Sequence, residues 1–146
     1  MIGEYVIEDW ARIPAKAMDA SEFRYRRPTF AEDGSLAVVI TQSGETADTL
    51  VGLHQAKARG ARTVAVTNVV ASSAARDADG AIYLNSGPEI GVASTKTLLA
   101  HLVSLSLLGL RLATVHGRVS SDRPPGLVDS CRARPDHVAG ELAVGR

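Results

Sequence analysis

"SLAVVITQSGETADTLVGLHQAKARG", residues 35–60, is the stretch that decides the fold. It opens with a continuous apolar run rich in β-branched residues, the pattern of a strand that is buried on both faces. It ends in a helical segment that places Leu50, Leu53 and Ala56 on one side and stops at a glycine. Only a short polar turn, Thr41 to Thr46, separates the two. A strand, a tight turn and a helix together predict half of a βαβ unit.

The same alternation of helices and strands continues on both sides of this stretch. Residues 2–13 carry apolar side chains at spacings of three and four and predict an amphipathic helix, and "AKAMDA" predicts a short strand. "RTVAVTN" and "AIYLN" predict two further strands, and residues 94–117 predict a long apolar helix. Because the connections are short, we predict an α/β fold with three layers: helix, parallel sheet and helix.

Length and composition predict one globular domain. The chain has 146 residues, of which 45% are hydrophobic, so a real core is possible. We place the domain at residues 1–117. Residues 118–146 are rich in proline, glycine and charge and have little periodicity, so we predict a loose or disordered tail.

Charge and cysteine content argue against several classes of function. Sixteen basic and sixteen acidic residues cancel and aromatic residues are only 4%, which favours neither nucleic acid nor an anionic membrane as a partner. The single cysteine, Cys131, predicts no intrachain disulfide, no metal cluster and a cytoplasmic location. The N-terminus lacks the features of a signal peptide, and polar residues interrupt the long apolar helix, which we interpret as core-facing. Nothing in the sequence predicts a metal or another cofactor.

The polar turn between strand and helix has three possible roles: a helix cap, a nucleophile or a phosphate site. Ligands of open parallel sheets bind beyond the carboxyl ends of the strands, where helix N-termini offer free N–H groups to phosphates. Gly44 would let the backbone approach a ligand, Ser43 and Thr46 would donate hydroxyls, and Thr41 and Gln42 would reach sugar hydroxyls. Serine and threonine also cap helices. Local sequence leaves the cap and the phosphate site open.

Two catalytic motifs that contain serine, glycine or lysine are absent around Ser43 and Lys96. A nucleophile elbow requires glycine two residues on either side of its serine, and Thr41 and Glu45 occupy those positions around Ser43. A P-loop requires glycine directly before its lysine, where Thr95 precedes Lys96.

A second loop, "SGPEIGVASTKT", repeats the design of a strand end, glycines and hydroxyls before a helix. Ser94 would donate to a sugar hydroxyl or cap the helix, and we assign Lys96 no ligand contact.

Two long ordered motifs, "TQSGETADTL" and "GPEIGVASTKT", resemble the sugar isomerase (SIS) domain of glutamine–fructose-6-phosphate aminotransferases. "EDWARIP" and "ASEFRYR" resemble segments upstream in the same family, so the resemblance covers roughly residues 1–115. It implies a parallel, flavodoxin-type, nucleotide-binding-like sheet flanked by helices. It also implies binding of a phosphorylated sugar, fructose 6-phosphate or glucosamine 6-phosphate, in amino-sugar biosynthesis.

The resemblance assigns the site residue by residue. The implied substrate-binding residues are Thr41, Gln42, Ser43, Gly44, Thr46, Val92 and Ser94. Thr41 stands where the family usually has serine, and its extra methyl group is expected to tighten the pocket. The resemblance further implies a homodimer or association with another SIS domain.

The sequence departs from the family where catalysis is concerned. The family's opening strand, its glutaminase domain and its second SIS domain have no counterpart here, so we assign no catalytic residue. We expect Glu45, Glu89, His54 and His101 to be solvated or structural, with His101 a satisfied core histidine. We expect no turnover from this chain alone. The alternative functions are a non-catalytic interaction fragment and a regulatory module that senses sugar phosphate.

Overall fold

The computed structural model describes residues 1–26, 34–90 and 94–119, together with Gly126 and Asp129. The predicted tail therefore lies almost entirely outside the described residues, as do Cys131 and Val92. The chain forms two compact units, one over Ala17–Ser104 and the other from Met1–Lys16 and Leu105–Arg146. The helices and strands, in chain order, are α1 (Ile2–Val6), a π-helical turn (Ile7–Ala11), α2 (Ala20–Phe23), β1 (Leu36–Thr41), α3 (Ala47–Ala58), β2 (Arg62–Thr67), α4 (Ser73–Asp77), β3 (Gly80–Tyr83) and α5 (Lys96–Val115).

The predicted parallel α/β architecture is confirmed in the unit Ala17–Ser104. The three strands in the described residues of this unit are all parallel and lie in the order β1, β2, β3. Helix α3 contacts β1, β2 and α4, and α4 contacts β2. Right-handed crossovers that step in one direction place their helices on the same face of a sheet, as these contacts show. The register pairs Thr41 with Thr67 and Thr67 with Tyr83, so the carboxyl ends of all three strands meet at one edge.

Strand β1 departs from its predicted burial on both faces. It forms an edge of the sheet, and its side chains Leu36 and Ile40 are 41% and 47% exposed. The central strand β2 is the buried one, with Ala65 and Val66 fully inaccessible. The prediction was wrong for β1 because an apolar run indicates a strand but not whether other elements cover both of its faces.

The segments before β1 also differ from their predictions. "AKAMDA" forms no strand, and the short helix α2 begins at its last residue, Ala20. The N-terminal helix ends earlier than predicted, because Ala11 completes its π-helical turn and Arg12 adopts a left-handed conformation with a φ of 56°.

The second unit brings the N-terminal helix against α5 at two glycines. A β-carbon on Gly109 would lie 2.8 Å from Val6 Cγ1, and one on Gly3 would lie 3.1 Å from Leu105 Cδ1. Such short distances show that the helices approach closely only because these positions lack side chains.

Helix α5 has 20 residues and is long and apolar enough to cross a membrane by length and composition alone, with a mean hydropathy of 1.8 in an 18-residue window. The core helix of a soluble protein passes the same test, so one such helix is weak evidence for a membrane. Leu110 and Ala113 are buried, as a core-facing helix requires, whereas Leu98 and Leu99 are 52% and 64% exposed.

Candidate functional site

The turn from β1 to α3 lies at the carboxyl edge of the sheet, the usual ligand position in open parallel sheets. Helix α3 begins at Ala47, and its N-cap residue Thr46 makes no side-chain capping hydrogen bond. The first N–H groups of a helix have no partner within the helix and carry partial positive charge. The start of α3 therefore offers the properties of an anion site.

Hydroxyl groups within the turn accept hydrogen bonds from its backbone N–H groups. Thr41 Oγ1 accepts from the Gly44 N–H at 3.2 Å and lies 3.3 Å from Thr46 Oγ1. Ser43 Oγ accepts from the Glu45 N–H at 3.2 Å. Because a hydroxyl that accepts still carries its own hydrogen, Ser43 remains able to donate to a ligand. A plain capping role does not account for this arrangement, since the N-cap hydroxyl is turned to Thr41.

The backbone of the turn is held by the residues that follow β2. The Gln42 carbonyl accepts from the Asn68 N–H at 3.1 Å and from Thr67 Oγ1 at 3.3 Å. The Gly44 carbonyl accepts from the Ala74 N–H at 3.0 Å. With two of its carbonyls fixed from outside, the turn has a conformation set in advance of any ligand.

The two acidic side chains nearest the start of α3 are both engaged elsewhere. Glu45 Oε1 accepts from the Ser73 N–H at 2.8 Å, and hydrogen bonds from Ser73 lower the pKa of this carboxyl below its usual value. Asp48 pairs with Arg24 at 3.0 Å. Glu45 thus has the structural role expected of it and stays ionised at neutral pH, whereas the charge of Asp48 is offset by Arg24.

The start of α5 differs from that of α3 because a carboxylate already occupies it. Glu89 accepts from the N–H of Thr95 at 3.0 Å, from the N–H of Thr97 at 3.2 Å, and from both hydroxyls of these threonines. Hydrogen bonds from Thr97 and then Thr95 lower the pKa of Glu89 to about 2. Glu89 therefore fills the anion position at the N-terminus of α5 at neutral pH. Of these two helix N-termini, only that of α3 is left open to a bound anion.

Two further described residues of the second loop, Ser94 and Lys96, lie next to this cap in the sequence. Ser94 is exposed and directly precedes Thr95, which Glu89 holds. Lys96 Nζ donates to the Pro88 carbonyl at 2.6 Å, within its own loop.

One residue that sequence reasoning missed joins the two loops. The Asn68 side chain accepts from the Ser86 N–H at 2.9 Å and donates to the Gly87 carbonyl at 2.7 Å. Its backbone N–H donates to Gln42, as noted above. The available signal was the position of this polar residue directly after β2, at the edge where ligands bind.

The two histidines considered as bases have structural surroundings. His54 Nε2 lies 2.8 Å from Asp77 Oδ2 on the surface. His101 is buried, and its Nδ1 donates to the Thr97 carbonyl at 2.8 Å, but its Nε2 has no hydrogen-bond partner among the described residues. The expectation of a fully satisfied core histidine is therefore only half met. No cluster of three or more potential metal ligands occurs in the described part of the chain.

Aminotransferases of several bacteria are similar in sequence to this chain. A glutamine–fructose-6-phosphate aminotransferase (isomerizing) of Caldanaerobacter subterraneus subsp. tengcongensis is 46% identical over 138 residues, which are 94% of this chain and 22% of that protein. The Clostridium acetobutylicum protein of the same name is 54% identical over 113 residues, 77% of this chain and 18% of the relative. The chain thus spans about a fifth of the length of these relatives.

Solved structures of similar sequence superpose on this chain. The C-terminal domain of glucosamine-fructose-6-phosphate aminotransferase from Francisella tularensis superposes with a TM-score of 0.78 at 40% identity, over 82% of this chain and 34% of that one. Glucosamine-6-phosphate deaminase from Thermotoga maritima superposes with a TM-score of 0.70 at 27% identity, over 77% and 35% of the two chains. The family model of the SIS domain matches residues 1–111. The chain belongs to the SIS domain family.

Proposed function

We propose that this chain binds a phosphorylated sugar, with the phosphate at the start of α3. The observation that carries the proposal is the contrast between two helix N-termini at the same edge of the sheet. Glu89 caps α5, whereas no side chain caps α3 and the hydroxyls of Ser43 and Thr46 lie beside its first turn. A dianionic phosphate gains both from N–H donors and from the positive end of the helix dipole.

We assign substrate contacts to the following residues: Thr41, Gln42, Ser43, Gly44, Thr46, Val92 and Ser94. Fructose 6-phosphate and glucosamine 6-phosphate are the proposed ligands, because relatives and neighbours that act on these compounds by name share the fold at 27–54% identity. The proposed context is amino-sugar biosynthesis in the cytoplasm, as part of the isomerase region of an aminotransferase. We assign no catalytic residue and expect this chain alone to bind without turnover.

Calorimetric titration tests the proposal. Fructose 6-phosphate and glucosamine 6-phosphate are expected to bind with a dissociation constant of about 1 mM or lower. Fructose and glucosamine without phosphate serve as matched ligands and are expected to bind far more weakly. Equal binding of the sugars with and without phosphate, or no binding of either, would contradict the proposal.

Association with a second SIS domain, from another copy or another chain, is the second proposal. It is supported by the apolar side chains that α5 leaves exposed, including Leu98, Leu99, Val103 and Leu107. Burial of such a surface on association is favourable by about 25 cal/mol per Å² of apolar area. Light scattering is expected to give the mass of a dimer, and a monomer at all concentrations would contradict self-association.

A further inference from the structure

Asn68 contacts both ligand loops at once, and its partners specify its chemistry. The Ser86 N–H can only donate and the Gly87 carbonyl can only accept, so position 68 must offer one acceptor and one donor in a single plane. The primary amide of asparagine supplies both. A carboxylate supplies only acceptors, and alanine supplies neither.

The backbone of the same residue reaches the other loop. The Asn68 N–H donates to the Gln42 carbonyl at 3.1 Å, and Thr67 Oγ1 donates to the same oxygen at 3.3 Å. Residues 42, 68 and 86–87 come from three separate connections, one after each strand. Asn68 is therefore a direct link between the turn that starts α3 and the loop that leads to Glu89 and α5.

We infer that Asn68 is the positioning residue of the site: its amide fixes the loop at Ser86–Gly87 relative to the phosphate-binding turn. This inference rests on the proposed function, because the two loops hold the residues proposed to contact the phosphate and the sugar. A ligand that bridges the two loops requires a fixed distance between them. Without the amide, each binding event must also order the second loop, and affinity falls by that cost.

The role of this amide can be tested with a carboxyl in its place, because protonation of the carboxyl restores the missing donor. In Asn68→Asp, one carboxylate oxygen still accepts from Ser86, but the other faces the Gly87 carbonyl. This repulsion between two acceptors is removed when the carboxyl is protonated, since a carboxylic acid can donate to the carbonyl. The Gly87 carbonyl favours the protonated form of the introduced carboxyl and the Ser86 N–H favours the ionised form, so the protonated form becomes populated as the pH falls toward the ordinary value of about 4.

The experiment measures binding of fructose 6-phosphate at pH 7.5 and pH 4.5, each affinity being taken relative to the unchanged chain at the same pH. Asn68→Asp is expected to bind at least about tenfold more weakly at pH 7.5 and to regain part of that loss at pH 4.5, where some of the carboxyl is protonated. Asn68→Ala lacks a group that titrates and is expected to bind weakly at both values. Asn85→Asp adds the same charge to an exposed position of the same loop and controls for repulsion of the phosphate.

Amide hydrogen exchange without ligand supplies the second readout. The Ser86 N–H is expected to exchange faster in Asn68→Ala than in the unchanged chain, because it loses its acceptor, and to keep its protection in Asn68→Asp. If the unchanged chain binds no sugar phosphate, the proposed function fails, and exchange at Ser86 alone then decides whether Asn68 links the loops. Unchanged binding and unchanged Ser86 exchange in Asn68→Ala would overturn the inference, as would a loss in Asn68→Asp equal to that in Asn85→Asp at both pH values.

Discussion

Gly44 packs directly against Ser72: a β-carbon on Gly44 would overlap both the hydroxyl oxygen and the β-carbon of Ser72, and would lie 3.1 Å from Thr67 Oγ1. Gly44 also has a φ of 73°, in the left-handed region. The turn from β1 to α3 and the loop after β2 therefore meet at a position where only glycine fits, for reasons of both space and backbone conformation.

Gly44→Ala is expected to destabilise the fold by about 2 kcal/mol or more, because it combines a steric overlap with an unfavourable φ. Denaturant unfolding measures the change. Gly60→Ala is the matched control, since Gly60 has a φ of 84° but nothing within 4 Å of its added β-carbon. It isolates the backbone cost, which is about 1–2 kcal/mol.

The double variant Gly44→Ala with Ser72→Gly removes the overlapping side chain. Its free energy of unfolding is expected to recover toward that of Gly60→Ala, because the overlap with Ser72 is removed and only the backbone cost and the closer contact with Thr67 Oγ1 remain. No recovery would show that the contact with Ser72 is not the source of the cost.

Ser43→Ala and Thr46→Val are each expected to weaken sugar-phosphate binding by about tenfold, the usual effect of losing one hydrogen bond to a charged group. Titration calorimetry measures this change. Thr114→Val makes the same substitution on α5, where the hydroxyl donates to the Leu110 carbonyl, and is expected to leave the affinity unchanged. An equal loss in all three variants would indicate general damage to the fold.

The cap formed by Glu89 predicts a pH dependence of stability. Folding lowers the pKa of this carboxyl from 4.5 to about 2, so ionised Glu89 contributes stability above pH 4.5 that is lost as the pH falls through about 2. Glu89→Gln is therefore expected to unfold at a lower temperature at pH 7, with the difference shrinking between pH 4.5 and pH 2.

The control for this cap is Glu22→Gln, which removes the same charge from an exposed position on α2. Thermal unfolding followed by circular dichroism measures both variants against the unchanged chain. A Glu89→Gln difference that stays constant down to pH 2 would contradict the role of the ionised carboxylate.

The sequence predicted the architecture because strand and helix patterns are local. The apolar runs ending at Thr41 and Thr67 and the turn before α3 lie where the patterns placed them. The exposure of Ile40 could not be predicted in this way, since it depends on which elements cover that face of the sheet.

Local sequence patterns could not predict the contacts that support the site, because the residues in contact are far apart in the sequence. Asn68 acts on residues 18 and 19 positions further along the chain, and Glu45 acts on Ser73, 28 positions away. The sequence placed Glu89 in the second loop with a solvated or structural role, but it did not identify Glu89 as the cap of α5. That identification requires the positions of Thr95 and Thr97 around its carboxylate.

Mapping the bound sugar phosphate by amide chemical shifts tests most directly the claim that the start of α3 holds the phosphate. With fructose 6-phosphate, we expect the largest shifts at the N–H groups of residues 43–48, with little change at those of Thr95 and Thr97, which Glu89 already holds. Largest shifts at Thr95 and Thr97, or no shifts at residues 43–48 under saturating ligand, would contradict it.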